Sequence, residues 1–453
     1  MTNLDEFIKD KYNDPYWFVE FVGEIPNQLR VQDVQSKKEY LDGSHAILNK
    51  PAYKYNGKEF IPRKIVLQYA KTLLNFQKAY LLQLPVTLTG NDKVVKHYSQ
   101  VTRKGKYDRL NIKLLDKVLK YGQVAEYVYL HDGVIKSKLI DASEGFPVYD
   151  HENNLLAFVE AYVVDAISYF IVYKEDVVEK YNNNGGDMRM TERYANLSGL
   201  PIIYHNDNEL FENQGKSELD DWISILDSME DLISKYTDSF YKFMNPIPVA
   251  TGQQLKGQAL SSDVVGGGIN LDDGGEFKFA SGQTDSKSFE IIYKTLVQSL
   301  LDVSQTPAVS MNKTDISNLS EVSIKLLFQL ANIKAGMNEV FMREGFEQRY
   351  EKIRVLSAEY KGIVFNDDEY DSLDMVFQYA QPSNDKEIIE NIKLLREMGG
   401  MSLESMLEKS PYTTDVQYEM ERLKSEEPVE VVVDESNGDE DKKEDDKEKD
   451  LTV

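Results

Sequence analysis

The sequence has no cysteine among its 453 residues. That excludes a disulfide framework, a thiolate zinc site and a cysteine nucleophile together, and it fits a protein made in a reducing cytoplasm. Histidine is scarce as well. His45, His97, His131, His151 and His205 show no metal-ligand spacing and no partnered nucleophile, so the sequence yields neither a zinc site nor a triad, and no metal, cofactor or catalytic residue is assigned. No run of about 18 apolar residues occurs, which predicts no membrane span. Residues 1–11 mix Asp, Glu and Lys with single apolar residues, unlike a secretory leader.

Net positive charge is also missing. The formal charge is -25, and residues 426–450 carry 13 acidic against 4 basic residues. That stretch reads as a disordered acidic tail, and the body that remains is still strongly acidic. Such a chain is poorly suited to gripping DNA, because phosphate neutralisation needs clustered Lys and Arg. It can still surround DNA. Gly266-Gly-Gly268 lacks the Lys-Ser or Lys-Thr of a phosphate loop, and Asp220-Asp221, Asp272-Asp273 and Asp367-Asp-Glu369 read as solvated carboxylates.

What the chain does have is 41% hydrophobic and 11% aromatic residues, enough for two or three substructures. Short helices are expected around Pro15 and Pro26, then a helix over 60–84 and another over 109–120. Residues 124–130 and 134–140 flank His131-Asp-Gly133 as a hairpin, and two more strands are expected at 155–164 and 167–173. Asn182-Asn-Asn-Gly-Gly186 reads as a loop. Ser217-Glu-Leu-Asp220 then opens a long helix in a capping-box pattern. In it, Leu219, Trp222, Leu226, Met229, Ile233, Tyr236 and Phe240 recur at alternating spacings of three and four, a heptad seam ending before Pro246. A glycine-rich excursion over 249–286 leads to a second helix from 287 to about 304, with Phe289, Ile292, Leu296, Leu300 and Val303 on one face. After the polar stretch 307–319, Ser320-Glu321 caps one very long helix to about 356. A strand over 370–377 and three helices, 385–398, 402–408 and 415–425, complete the body. The fold class is α+β, mainly helical, with an antiparallel sheet.

This order of elements resembles the portal protein family of long-tailed phages infecting Gram-positive bacteria. The residues that carry the resemblance are Tyr121-Gly122, Glu126-Tyr-Val-Tyr129, His131-Asp-Gly133, Ile140-Asp141, Gly215-Lys-Ser217, Ile225-Leu-Asp227, Leu301-Asp302 with Pro307, Asn312 to Ser320, the helix 324–354, and Met401-Ser-Leu-Glu404 with Pro411 and Asp415. Together they span roughly residues 40–425. The loop Asn312-Lys-Thr-Asp-Ile-Ser-Asn318 departs from the family by lacking glycine.

The resemblance implies an N-terminal arm (1–39), a wing (40–216), a stem helix (217–245), a clip (246–286), a second stem helix (287–306), a tunnel loop (307–319), a tunnel helix with more wing (320–380), a crown (381–425) and the tail (426–453). It further implies a structural, non-enzymatic subunit, one of twelve in a ring at a capsid vertex of the virion, assembled in the host cytoplasm. Double-stranded DNA would pass through non-specifically, past Asn312, Lys313, Thr314, Asp315, Ser317 and Asn318 of the tunnel loop. Lys235, Lys242, Lys287 and Lys294 are candidate channel lysines, and the heptad seam is a candidate contact between subunits. Expected partners are the large terminase subunit, a head-tail adaptor, and the major capsid and scaffolding proteins. Two other readings stand beside it: a metal-dependent nuclease using the acidic clusters, and a coiled-coil interaction protein.

Overall fold

The computed structural model describes residues 4–55, 58–243, 247–251, 276–280, 286–308, 320–413 and 416–426. Residues 309–319 of the expected tunnel loop, the glycine-rich run with Asp272-Asp273 and the acidic tail beyond Glu426 lie outside them. The chain divides into two units, one of residues 1–316 and 322–382, the other of 317–321 and 383–453.

Three helices open the first unit: α1 (Leu4–Lys11), α2 (Trp17–Gly23) and α3 (Ile25–Asp42). After a 3-10 turn over Ala46–Asn49 come β1 (Tyr53–Tyr55), β2 (Lys58–Phe60), α4 (Tyr69–Leu82), β3 (Thr87–Thr89), α5 (Asp92–Gly105) and α6 (Tyr107–Tyr121). Eight strands follow: β4 (Gln123–His131), β5 (Val134–Ile140), β6 (Gly145–Tyr149), β7 (Leu155–Val164), β8 (Ile167–Tyr173), β9 (Val177–Asn182), β10 (Arg189–Ala195) and β11 (Ile202–His205). Then come α7 (Leu219–Phe243), the β12 (Ile247–Thr251) and β13 (Glu276–Ala280) pair, α8 (Ser286–Val303), α9 (Glu321–Leu327), α10 (Gln329–Lys361), α11 (Asp367–Asp371) and β14 (Asp374–Val376).

Strands β6 to β10 form one antiparallel sheet, and β11, β4 and β5 form another. Alternation along β7 and β8 assigns their side chains to two cores. Ala157, Val159, Phe170 and Val172 meet Trp17, Phe18 and Phe21 of α2, while Phe158, Ile171 and Tyr173 meet Ala125, Tyr127 and Ile140 of the three-stranded sheet. Residues 17–21 of the expected N-terminal arm therefore pack against the larger sheet. Their aromatic side chains cover one face of the larger sheet, and α3 runs through the expected boundary at residue 40.

The two hairpins fall where the sequence places them. Asp132-Gly133 and Asp165-Ala166 take the positive φ angles that tight turns need. Tyr121-Gly122 and Gly215 also find a reason. Gly122 ends α6 at φ 81°, and a Cβ on either glycine would collide with the other's backbone carbonyl. The backbones entering β4 and α7 pass one another at that contact.

Asp141, at the end of β5, binds Lys38 of α3 (2.7 Å) and Lys117 of α6. Burial pushes its carboxyl up, but the hydrogen bonds from Lys117 and Lys38 outweigh it and hold the group well below the ordinary carboxylate range. A depressed folded-state value means stability that is complete above the unfolded value, near pH 4, and lost as pH falls below it. Thermal melts of Asp141→Asn should lie well below wild type at pH 7, and the gap should narrow steadily as pH falls below about 4. A gap that stays constant with pH would contradict this.

Two expected elements are shorter in the structure. The helix expected over 60–84 spans only Tyr69–Leu82, because Pro62 disfavours helix at Ile61 and the N–H groups of Arg63, Ile65 and Leu67 donate instead to Asp238 (3.1 Å), Ser234 (3.1 Å) and Glu230 (2.7 Å) of α7. Two residues of extended chain rise about 6.6 Å and four of helix about 6.0 Å, so alternate amides meet every fourth helical side chain. The strand expected over 370–377 shrinks to three residues, because Asn366 and Glu369 form a capping box that holds Tyr370 in α11.

The second unit holds α12 (Asp385–Glu397), α13 (Leu403–Lys409) and α14 (Val416–Glu426). Asn384 caps α12 by accepting from the Glu387 N–H (3.2 Å), and Ser402 caps α13 by accepting from the Ser405 N–H (3.1 Å). The Glu321 N–H donates to Glu387 at 2.8 Å, and the Asn384 N–H donates to Glu321 at 3.0 Å.

Candidate functional site

Helices α7, α8, α9 and α10 carry most of the residues that the sequence singles out. Ser217 starts α7, accepting from the Leu219 N–H (3.1 Å) and donating to the Lys120 carbonyl (2.6 Å). Asp220 and Asp221 face the positive end of the helix dipole and pair with Lys37 (2.9 Å) and Lys216 (2.8 Å). Neither is a free acidic cluster, and Asp367 likewise binds Arg354 at 2.6 Å.

The heptad seam splits in two. Leu219, Trp222, Leu226 and Met229 have no exposed surface, so they pack within their own chain and are unavailable to a neighbouring subunit. Ile233 and Tyr236 are half-buried, Tyr236 stacking on Phe289 of α8 with ring centroids 3.8 Å apart. Phe240 is 49% exposed, and Ile291, Ile292 and Val303 of α8 are similarly open. A heptad pattern reports an apolar face and does not say who covers it.

Among the candidate channel lysines, Lys235 pairs with Asp231 (2.8 Å) and Lys294 with Glu290 (2.7 Å), each one turn back along its helix. Lys287 is exposed at the start of α8, and Lys242 lies in the last turn of α7. Asn312, Lys313, Thr314, Asp315, Ser317 and Asn318 lie outside the described residues.

The single long helix expected after residue 320 is two helices. The backbone at Phe328 (φ -94°, ψ 5°) separates α9 from α10, and the Phe328 ring turns inward to stack on Tyr80 at 5.8 Å. Helix α10 continues to Lys361, where Gly362 closes it at φ 62°.

Its middle is fixed by a buried ionic network. The Arg349 guanidinium donates to both Glu126 oxygens (2.8 to 3.0 Å) and to Asn111 (2.7 Å), while Tyr204 donates to Glu126 (2.7 Å). Arg349 and Glu126 are both fully buried, and the guanidinium lies 4.3 Å from the Phe346 ring centre. A Cβ at Gly345 would run into the Tyr204 ring, so glycine lets α10 approach the sheet closely.

The first half of the broken helix has a second apolar face that sequence reading overlooked. Val322, Leu326, Leu330, Ile333, Met337 and Val340 are 42 to 67% exposed and recur at spacings of three and four. On the opposite side Ile324, Phe328, Ala331, Ala335 and Met342 are buried. Over the next three turns the exposed positions are polar, Glu344, Glu347, Gln348 and Glu351. A helix apolar all round is ordinarily buried all round. The visible signal was this stripe itself, interleaved with the core positions and stopping midway along the helix.

Four histidines are scattered: His97 on Ser357 (3.0 Å), His131 beside Asp132 (3.2 Å), His205 on the Asn206 carbonyl (3.2 Å), and His151 in a surface turn. The fifth, His45, is buried against Glu230 of α7, 185 residues away, so no local spacing could reveal the contact.

The family profile described as "Phage portal protein, SPP1 Gp6-like" matches residues 26–430. No sequence among the curated proteins matches this chain. Similar solved structures include the neck of an empty gene transfer agent particle computed with C6 symmetry (8% identity, TM-score 0.46, covering 74% of this chain and 86% of that one) and the neck of a native particle computed with C12 symmetry (10%, 0.44, 75% and 89%). The virion of a native gene transfer agent particle is similar at 9% identity and TM-score 0.43, covering 74% and 86%.

Proposed function

This chain belongs to the SPP1 Gp6-like phage portal protein family and is a portal subunit of the capsid vertex; on that premise we propose that twelve copies close into a ring whose axial channel passes double-stranded DNA during packaging and ejection. The observation that carries the ring is the exposed stripe from Val322 to Val340, with Phe240, Ile291 and Ile292 also exposed on the stem helices. In the ring, neighbouring copies cover these side chains, which removes their apolar surface from water.

The relation to DNA follows from charge. The chain is acidic, and Lys235 and Lys294 are held by carboxylates of their own helices. Phosphates passing such a wall meet no continuous cationic surface, so DNA slides and is not gripped. The reading assigns α7 and α8 to the stem, the β12–β13 pair to the clip, α9–α10 to the tunnel helix and α12 to α14 to the crown. Residues 307–319 then form the tunnel loop, with one Lys313 per copy as a sparse ring of positive charge. The large terminase subunit docks on the clip during packaging and a head-tail adaptor replaces it, while capsid and scaffolding proteins surround the wing. ATP hydrolysis belongs to the terminase, and assembly precedes DNA entry in the host cytoplasm.

Deleting residues 307–319 tests the tunnel assignment. Rings should still form by electron microscopy, while DNA packaging in a reconstituted assay should fail. Loss of the rings would make the segment structural, and packaging at the wild-type rate would remove it from the channel.

A further inference from the structure

The place where α7 meets the turn after α3 has donor chemistry that ring formation does not use. Asp227 and Glu230 sit three residues apart on one face of α7, and His45 approaches from the turn. One ligand atom from each of the three lies within 4.8 Å of the others. His45 and Glu230 are 1% and 0% exposed, with His45 Nδ1 2.6 Å from Glu230 Oε1, which also accepts from the Leu67 N–H.

The polar groups here are under-satisfied. His45 Nε2, Glu230 Oε2 and Asp227 Oδ1 are buried without a hydrogen-bond partner, and so is the hydroxyl of Tyr40, whose ring stacks on His45 at 3.9 Å. Buried polar atoms normally find partners. Among the described residues no Lys or Arg forms an ion pair with Asp227 or Glu230, so two carboxylates share one imidazole and no fixed positive charge. A cation would satisfy the donors and the charge together.

We propose that His45, Asp227 and Glu230 form a binding site for a divalent cation of the zinc class. The donor set decides the class. One imidazole and two carboxylates suit zinc or its first-row neighbours, whereas calcium takes six to eight oxygens and magnesium keeps most of its water. Donors around one zinc ion stand about 3.4 Å apart, so the 2.6 Å contact of His45 with Glu230 would open while the remaining separations, all within 4.8 Å, close. The Leu67 N–H fixes the orientation of Glu230 as an outer hydrogen bond does for metal ligands. Three protein donors leave a fourth position for solvent. So placed, the ion is a structural staple joining α7 to the turn after α3 and to the segment 61–67 that runs along it.

The test uses the full-length chain, stripped with EDTA and titrated with zinc chloride. Elemental analysis after gel filtration should give one zinc per chain, and the melting temperature should rise with zinc but not with calcium. Asp227→Asn, at a half-buried position, should weaken zinc binding by at least the roughly 10- to 100-fold that losing an outer hydrogen-bond partner costs, and His45→Gln should do the same. No zinc retained by the wild type, or equal retention by both variants, would overturn the proposal. The readout is metal per chain, so it is independent of whether rings form.

Discussion

Arg349→Leu is expected to cost about 3 to 5 kcal/mol of folding stability, because it removes one partner of a fully buried pair and strands the Glu126 carboxylate. Burial alone would lower the Arg349 pKa, yet the Glu126 charge overcomes it and raises the value, so the guanidinium keeps its charge when folded. The network joins α10, through Arg349, to β4 through Glu126, to α6 through Asn111 and to β11 through Tyr204. Its loss should therefore loosen four elements at once. Glu126→Leu combined with Arg349→Leu should recover part of the loss, since no buried charge remains although the Tyr204 hydroxyl and Asn111 lose their partners. Chemical denaturation of the wild type, the two single variants and the double variant measures the coupling. A single-variant loss below about 1 kcal/mol would show that solvent reaches the site.

The second large effect concerns assembly. Leu326→Asp combined with Ile333→Asp places two charges on the exposed stripe, at positions 67% and 49% accessible in the single chain. Neither side chain belongs to the core, so circular dichroism and melting of the isolated subunit should match wild type. The rings should be lost, because each charge would be buried against a neighbour without a partner, and that cost repeats at every interface. Gln348→Asp, on the polar half of the same helix, should leave the rings intact. Rings that survive the double substitution would move the contact elsewhere on the subunit.

These outcomes show where sequence reasoning reached and where it stopped. The β4–β5 and β7–β8 hairpins were legible because turn chemistry and period-two patterning are local. The boundaries of α7 were legible too, from the Ser217 cap and Pro246, and the end of α8 from Pro307. Helix 60–84 misled because its apolar spacing is shared by a segment whose amides are taken by Glu230, Ser234 and Asp238 of a distant helix. The seam on α7 was visible as a pattern, but its burial within one chain depends on which elements lie over it, and periodicity carries no such information. His45 with Glu230 and Arg349 with Glu126 are contacts across about 185 and 223 residues, and nothing in either neighbourhood marks the partner. The stripe from Val322 to Val340 is different. It could have been read by asking whether one helix has more apolar faces than a single core can cover.

The central claim, that copies of this chain close into a portal ring, is tested most directly by the native mass of the purified full-length protein at micromolar concentration, checked by negative-stain microscopy. The expected result is closed rings of about twelve chains. A stable monomer or dimer at that concentration would contradict the account.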